Sequence, residues 1–236
     1  MSNYLITGAS SDIVKAFVKN HDWQPNDNIF AQFNSNMPDY MPRNTVLYQA
    51  DFSNPDNIKN FVDEISRLDF VPDYILHAPA GKISNIRFTE LTWADFQNQL
   101  NIQVHSFMEI ISGVIKKMAR KKFGRVAVIL SSCVFSVSPK FLADYVTAKY
   151  ALAGLTKALA SEYAPKNIYF NMISPSMVQT KFLSNIYDGV IENSARSNPS
   201  GRNADANDLS GVIEFLFNRA DFITGSNIPV TGGEIF

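Results

Sequence analysis

The run VAVIL, residues 126–130, is apolar at every position. A strand with one wet face alternates apolar and polar side chains, whereas a strand covered on both sides, as at the centre of a parallel sheet, has no need to alternate. Around this run the chain repeats one pattern, a short β-like segment followed by an amphipathic stretch. Strands are expected at Tyr4–Thr7, Asn28–Phe33, Thr45–Gln49, Tyr74–His77, Arg125–Leu130, Tyr169–Ile173 and Ser226–Pro229, and helices at 12–20, 55–67, 93–119, 143–163 and 206–218. Alternation of this kind predicts an α/β fold, a doubly wound parallel sheet of about seven strands with helices on both faces. The link NSNMPDYMPRN (34–44) carries two prolines and is short for a crossover helix, so that crossover should be abbreviated. For the helix at 206–218, Asp208 lies too far inside to cap it, and Asp205 or Asn207 suits the role better. Residues 181–203 mix small, polar and apolar types and read as an excursion outside the sheet. No repeat or low-complexity segment marks a boundary, so one domain over 1–236 is expected. The last segment reads as sheet-closing, and no separate substrate domain is expected.

Several classes fall away on composition. Lys plus Arg (21) nearly balances Asp plus Glu (22), and a net charge of −1 argues against a large nucleic-acid footprint. Cys133 is the only cysteine, so neither an intrachain disulfide nor a four-cysteine zinc site can form. His21, His77 and His105 lack metal-ligand spacing, and no metal site is expected. The N-terminus has no basic segment followed by an apolar run, and no stretch approaches the roughly 20 apolar residues that span a bilayer. A cytoplasmic protein without a membrane partner is the expectation.

The densest chemistry lies in SSCVFSVSPKFLADYVTAKYAL, residues 131–152. Tyr145 and Lys149 are four apart on an expected helix and share one face. Ser132 stands 13 residues before Tyr145, at the end of VAVIL, where open α/β sheets bind ligands. A tyrosine of pKa about 10 is a poor base near neutrality. A neighbouring ammonium favours the phenolate and brings proton transfer into a useful range. A serine hydroxyl can hold a substrate oxygen as charge develops on it. Taken singly, a Tyr-x-x-x-Lys pair is more often a surface pair, and Ser-Ser after a strand more often a turn; the combination is far more specific.

At the other end of the chain, LITGASSDIVKAF (5–17) begins like a phosphate-cradling loop but keeps only Gly8, with Asp12 and Val14 where further glycines would stand. Gly8 supports the tight turn. The Asp12 carboxylate could cap the following helix, and it should turn away from a pyrophosphate that would repel it. Val14 should hold the helix slightly farther from the strand. Weakened or re-angled dinucleotide binding is expected from this loop.

Together these segments resemble the short-chain dehydrogenases/reductases, and the resemblance spans essentially the whole chain. TGASSDIV resembles the family's cofactor loop, DFSNP (51–55) the segment that places an aspartate near adenine, and NIQVHSF (101–107) the helix with the catalytic asparagine. GRVAVILSS and DYVTAKYALAGLTKALASEYA match the serine strand and the tyrosine–lysine helix, and NMISPSMVQT (171–180) the nicotinamide segment. HAPAG (77–81) replaces the usual Asn-Asn-Ala-Gly, Ser176 a usual glycine, and Thr231 a frequent aspartate. The nearest flavour is that of 3-oxoacyl carrier-protein reductases. The resemblance implies a Rossmann-like fold with Tyr145 as general acid/base. Lys149 would lower its pKa and bond the nicotinamide ribose, Ser132 would orient the carbonyl, and Asn101 would hold a water in a proton relay. It further implies a cofactor bed of Gly8, Ser10, Ser11, Asp12, Ile13, Asp51, Phe52, Ala78, Pro79, Ala80, Tyr145, Lys149, Pro175, Val178 and Thr180.

The second strand ends in Gln32, Phe33, Asn34 and Ser35, without the carboxylate that bonds a ribose 2′-hydroxyl in NAD-specific loops. With no carboxylate to repel a 2′-phosphate, and with Ser11, Asn34 and Ser35 to bond it, NADP(H) is expected over NAD(H). Val134, Phe135, Phe141, Met177, Phe182 and Tyr187 border the region of the family's substrate cleft, which suggests a partly apolar carbonyl or alcohol substrate, of 3-oxoacyl type and carried on an acyl carrier in the nearest relatives. The same residues would also serve simply to pack their loops. The 181–203 segment is expected to fold over the site as a lid. Family habit implies a homotetramer or dimer built partly on the helices at 93–119 and 143–163. The competing reading is a cofactor-binding or scaffold protein of the same fold without turnover. The degraded loop favours it, and the set Ser132, Tyr145, Lys149 and Asn101 opposes it.

Overall fold

The computed structural model describes residues 1–135 and 137–234; Ser136, Ile235 and Phe236, inside the single domain expected over 1–236, lie outside the described residues. Seven parallel strands form one sheet: β1 (Asn3–Thr7), β2 (Asn28–Phe33), β3 (Thr45–Gln49), β4 (Tyr74–His77), β5 (Gly124–Ile129), β6 (Ile168–Pro175) and β7 (Asn227–Val230). Their order is β3-β2-β1-β4-β5-β6-β7, so the winding reverses between β1 and β4. A crevice opens at that reversal, where Thr7 pairs with His77 in register.

Side-chain alternation divides the interior into two cores. Leu5, Phe30, Ile75, Val126, Val128 and Phe170 face α2 (Pro55–Arg67), α4 (Ser106–Lys121) and α5 (Ala143–Tyr163). Tyr4, Ile6, Ile29, Leu76, Ala127 and Ile129 face α1 (Asp12–Asn20) and α7 (Ala206–Asn218). Every residue of β5 is buried, as a strand covered on both faces requires. The link between β2 and β3 contains no helix. Asp205 caps α7 and forms a reciprocal capping box with Asp208.

Two local expectations need correction, and the excursion expected over 181–203 gains detail. The helix expected over 93–119 is α3 (Trp93–Leu100) and α4 separated by a π-helical turn at Asn101–His105. The extra residue in that turn is stabilised from outside the helix. The Asn101 side chain donates to the Ser53 carbonyl (3.0 Å), and the Gln103 carbonyl accepts from buried His77 (3.1 Å). Residues 181–203 contain a 3-10 turn (Lys181–Leu183) and a helix, α6 (Asp188–Ser197), that buries none of its residues and so carries no apolar period to read. Finally, α1 is capped by Ser11, whose Oγ accepts the Val14 N–H (3.2 Å), and not by Asp12. Asp12 is already the first helical residue, one position past the cap.

Candidate active site

The C-terminal ends of the strands open into a cleft of about 610 Å³. One end is built by the loop after β1. Gly8 is left-handed (φ 72°), and a Cβ there would stand 2.8 Å from the Ala78 carbonyl, so both backbone conformation and close approach demand glycine. The rest of the loop is held by side chains from elsewhere. Buried Gln32 accepts the Gly8 N–H (2.9 Å) and donates to the Ala50 carbonyl (2.6 Å). Tyr40, from the link after β2, donates its hydroxyl to the Ala9 carbonyl, while Lys15 lies over its ring. Asp12 turns its carboxylate to the backbone N–H of Lys181 (2.8 Å).

The other end is built by β5 and α5. Tyr145 and Lys149 are both buried on one face of α5, with the ammonium 5.5 Å from the phenol ring centroid. Lys149 Nζ donates to the Ile129 carbonyl at the end of β5 (2.9 Å). Burial lowers its pKa to about 8, with Cys133 pulling weakly the other way. Burial also pushes the Tyr145 phenol well above its usual value, Cys133 adds to that shift, and a hydrogen bond with the Ser131 side chain opposes it. Burial is the largest cause of the Tyr145 shift, while the Lys149 ammonium bonds the Ile129 carbonyl. The phenol is therefore protonated at neutral pH, the form able to give a proton to a carbonyl oxygen. Cys133 is buried and its thiol raised by burial, as befits a packed small side chain.

Most of the expected residues meet in this one cleft. Gly8, Ser10, Ser11, Asp12, Ile13, Asn34, Asp51, Phe52, Ala78, Pro79, Ala80, Ser132, Tyr145, Lys149, Pro175, Val178 and Thr180 all line it. Asn101 and Ser35 are not among the lining residues; Ile102 and Asn36 occupy the corresponding stretches of wall. Of the apolar residues expected at the substrate side, Met177 and Phe182 line the cleft, together with Ile83, Leu142 and Leu183. Val134 instead packs against the core, and Tyr187 is 80% exposed. The Phe182 ring lies 6.3 Å from that of Tyr145, centroid to centroid.

Sequence reasoning missed Ser131, Gln32 and Tyr40. Ser131 had a signal in the Ser-Ser pair itself. Gln32 had one in being a polar residue inside an otherwise apolar strand, NIFAQF. Among the described residues Ser176 Oγ is buried without a partner, at the seam between this cleft and a smaller one lined by Asn198, Ser200 and Thr231. Among the described residues no cluster of side chains could hold a metal ion, and no helix is long and apolar enough to cross a membrane.

The residues present suit a dinucleotide. The helix α1 begins at the cleft wall, and its first N–H groups attract an anion. The unpartnered Ser176 hydroxyl adds a hydrogen-bonding group at the far end.

The sequence family described as enoyl-(acyl carrier protein) reductase matches residues 28–234, a span that begins at β2 and leaves out β1, its loop and α1. The chain is 26% identical over 234 residues to the 3-oxoacyl-[acyl-carrier-protein] reductase FabG of Rickettsia typhi, covering 97% of this chain and 95% of that protein. It is 31% identical to the acetoacetyl-CoA reductase of Allochromatium vinosum, covering 80% and 76% respectively. In three dimensions it superposes on a short chain dehydrogenase family protein from Francisella tularensis with a TM-score of 0.87, at 23% identity over 99% of this chain and 98% of that one.

Proposed function

The chain belongs to the short-chain dehydrogenase/reductase family, and on that premise we propose a nicotinamide-dependent oxidoreductase that interconverts a ketone and a secondary alcohol. The observation that carries the reading is convergence. A dinucleotide-shaped bed and a buried Tyr145–Lys149 pair with adjoining serine hydroxyls line one cleft. When bound, the cofactor supplies or accepts the hydride. Gly8 to Ile13 and Ala78 to Ala80 would hold its phosphates and adenosine, and Lys149, Pro175, Val178 and Thr180 its nicotinamide end.

In the reducing direction, Tyr145 gives its phenolic proton to the carbonyl oxygen while the Ser131 and Ser132 hydroxyls hold that oxygen. The Lys149 ammonium steadies the phenolate that remains. The Asn101 side-chain nitrogen is committed to Ser53 and its backbone carbonyl accepts the Ser106 N–H, so a role in a water relay would use the side-chain oxygen or the carbonyl's second lone pair.

NADP(H) is favoured over NAD(H) because the end of β2 and the residues after it give the wall Gln32, Asn34 and Asn36 and contribute no carboxylate of their own to refuse a 2′-phosphate. A 3-oxoacyl thioester is the substrate class favoured by the apolar wall of Ile83, Leu142, Met177, Phe182 and Leu183 and by the activities for which the two relatives are named. The 181–203 segment acts as a lid. The protein works as a homo-oligomer, through the exposed Trp93, Met108 and Tyr150 of the α3–α5 region; Ile110, Val114 and Leu152, by contrast, are spent on the core.

The test is turnover of 3-oxoacyl thioesters and plain ketones with NADPH and with NADH, beside light-scattering measurement of mass. Reduction with a clear preference for NADPH supports the reading. Equal or better use of NADH removes the cofactor assignment, and tight cofactor binding with no turnover of any carbonyl favours a binding protein.

A further inference from the structure

The first residue of α1 and the first residue of the lid are joined by one hydrogen bond. Asp12 Oδ2 accepts the backbone N–H of Lys181 at 2.8 Å. Both partners are set up for this by their local structure. Because Ser11 already caps α1, the Asp12 carboxylate is free to bond elsewhere. Lys181 opens a 3-10 turn whose preceding residue, Thr180, makes no side-chain cap, so its N–H is left for an acceptor outside the turn.

The two residues after Lys181 enter the site. Phe182 faces Tyr145, and Leu183 is buried against the cleft. The two bases of the same segment are also tied to each other. A bridge pairs Val178 with Ala204, and buried Asn198 donates to the Thr231 carbonyl (2.8 Å).

We propose that Asp12 is a positioning residue that latches the start of the 181–203 segment to the cofactor loop, so that the phosphate-facing turn and the wall over Tyr145 become ordered together. The carboxylate stands where the sequence pattern of such loops has glycine, and it supplies a link between two ends of the cleft that glycine cannot make. The latch itself is independent of the reaction; its catalytic consequence rests on the oxidoreductase reading.

Limited proteolysis of the full chain without ligand tests the latch. Asp12→Gly removes the acceptor. Lys181→Pro removes the donor, at a turn position that tolerates proline, with Thr180 already extended (φ −144°, ψ 167°) as the residue before proline prefers. Each should raise cleavage within 181–203 by about fivefold, the factor for about 1 kcal/mol of lost hydrogen bonding. The double variant should be no worse than either single one. Asp12→Asn keeps an accepting oxygen and should resist like wild type, with circular dichroism checking that each variant is folded. Wild-type resistance in both single variants, or additive effects in the double, overturns the proposal.

A second arm reads turnover. Asp12→Gly and Lys181→Pro should raise KM for the carbonyl substrate by a common factor while sparing kcat, and effects on kcat alone count against the proposal. If wild type turns over no carbonyl, the oxidoreductase reading fails on its own, and proteolysis still decides the latch.

Discussion

At the β5–α5 end of the cleft the reactive groups sit where regular structure puts them. Tyr145 and Lys149 are one helical turn apart, and Ser131 and Ser132 follow one residue beyond the end of a buried strand. At the β1 end almost nothing is regular. One glycine survives, and the loop is carried by Gln32, Tyr40 and Asp12 reaching to or from distant segments. Backbone freedom at one end has been exchanged for side-chain struts. A loop made of glycines is shaped by what glycine permits, whereas a strutted loop is shaped by what its partners enforce. The catalytic end should fail by losing chemistry, and the strutted end by losing stability and cofactor affinity.

The sharpest cut through that comparison is Tyr145→Phe. Turnover should fall by about 10²- to 10⁴-fold with cofactor affinity little changed, as read by steady-state kinetics beside cofactor titration. A similar fall in Ser131→Ala but not in Ser132→Ala would assign the oxygen-holding hydroxyl to the residue bonded to the phenol in this structure. Gln32→Ala should do the opposite. It strands a buried N–H and a buried carbonyl, so denaturant titration should show about 2 to 4 kcal/mol of lost stability. Cofactor affinity should weaken while kcat stays nearly intact; an unchanged unfolding midpoint would break the comparison.

His77 ties β1 to the π turn, and its test is pH. The ring lies between the Thr7 hydroxyl (2.9 Å) and the Gln103 carbonyl (3.1 Å), so Nε2 carries the proton and Nδ1 accepts. Burial lowers its pKa from 6.5 to about 3, with the Gln103 bond opposing and Lys149 assisting. Above pH 6.5 the ring is neutral folded or unfolded. Below it only the unfolded chain takes the proton, so this contribution to stability is lost as pH falls from 6.5 toward 3, at about 1.4 kcal/mol per unit. His77→Asn should flatten the stability–pH curve in that window relative to wild type; parallel curves would mean the ring is not held neutral. The smallest effect is expected for Tyr40→Phe, about 1 kcal/mol and a few-fold in cofactor affinity, since the loop keeps Gln32. A loss larger than that of Gln32→Ala would make Tyr40 the principal strut.

The strands and the catalytic helix were legible because their signals are local. Continuous apolar runs and a four-residue spacing need no knowledge of the rest of the chain. The struts were not, because Gln32 and Tyr40 act on residues 24 and 31 positions away. The π turn escaped for a related reason. Its supports, Ser53 and His77, come from other segments, although the concentration of amides in NQLNIQ hinted that this helix interior was not ordinary. Gln99 and Gln103 are both buried there and bonded to each other. The Asp12 carboxylate, expected to turn from the phosphates, accepts a bond from another segment. Its destination, the N–H of Lys181, could not be read from either segment alone.

The turn at Asn101–His105 also works as a phase setting. An α-helix advances about 100° per residue, so the one residue a π turn adds decides which side of α3 looks toward α5 and which looks outward. Deleting Ile102 would leave the composition almost untouched, yet it would swing Trp93–Leu100 by about that angle relative to Ser106–Lys121. Gln99 would leave the Lys82 carbonyl it now holds, and Trp93 and Phe96 would face a different quarter of the surface. In this protein, residue count in one helix is as informative as residue type.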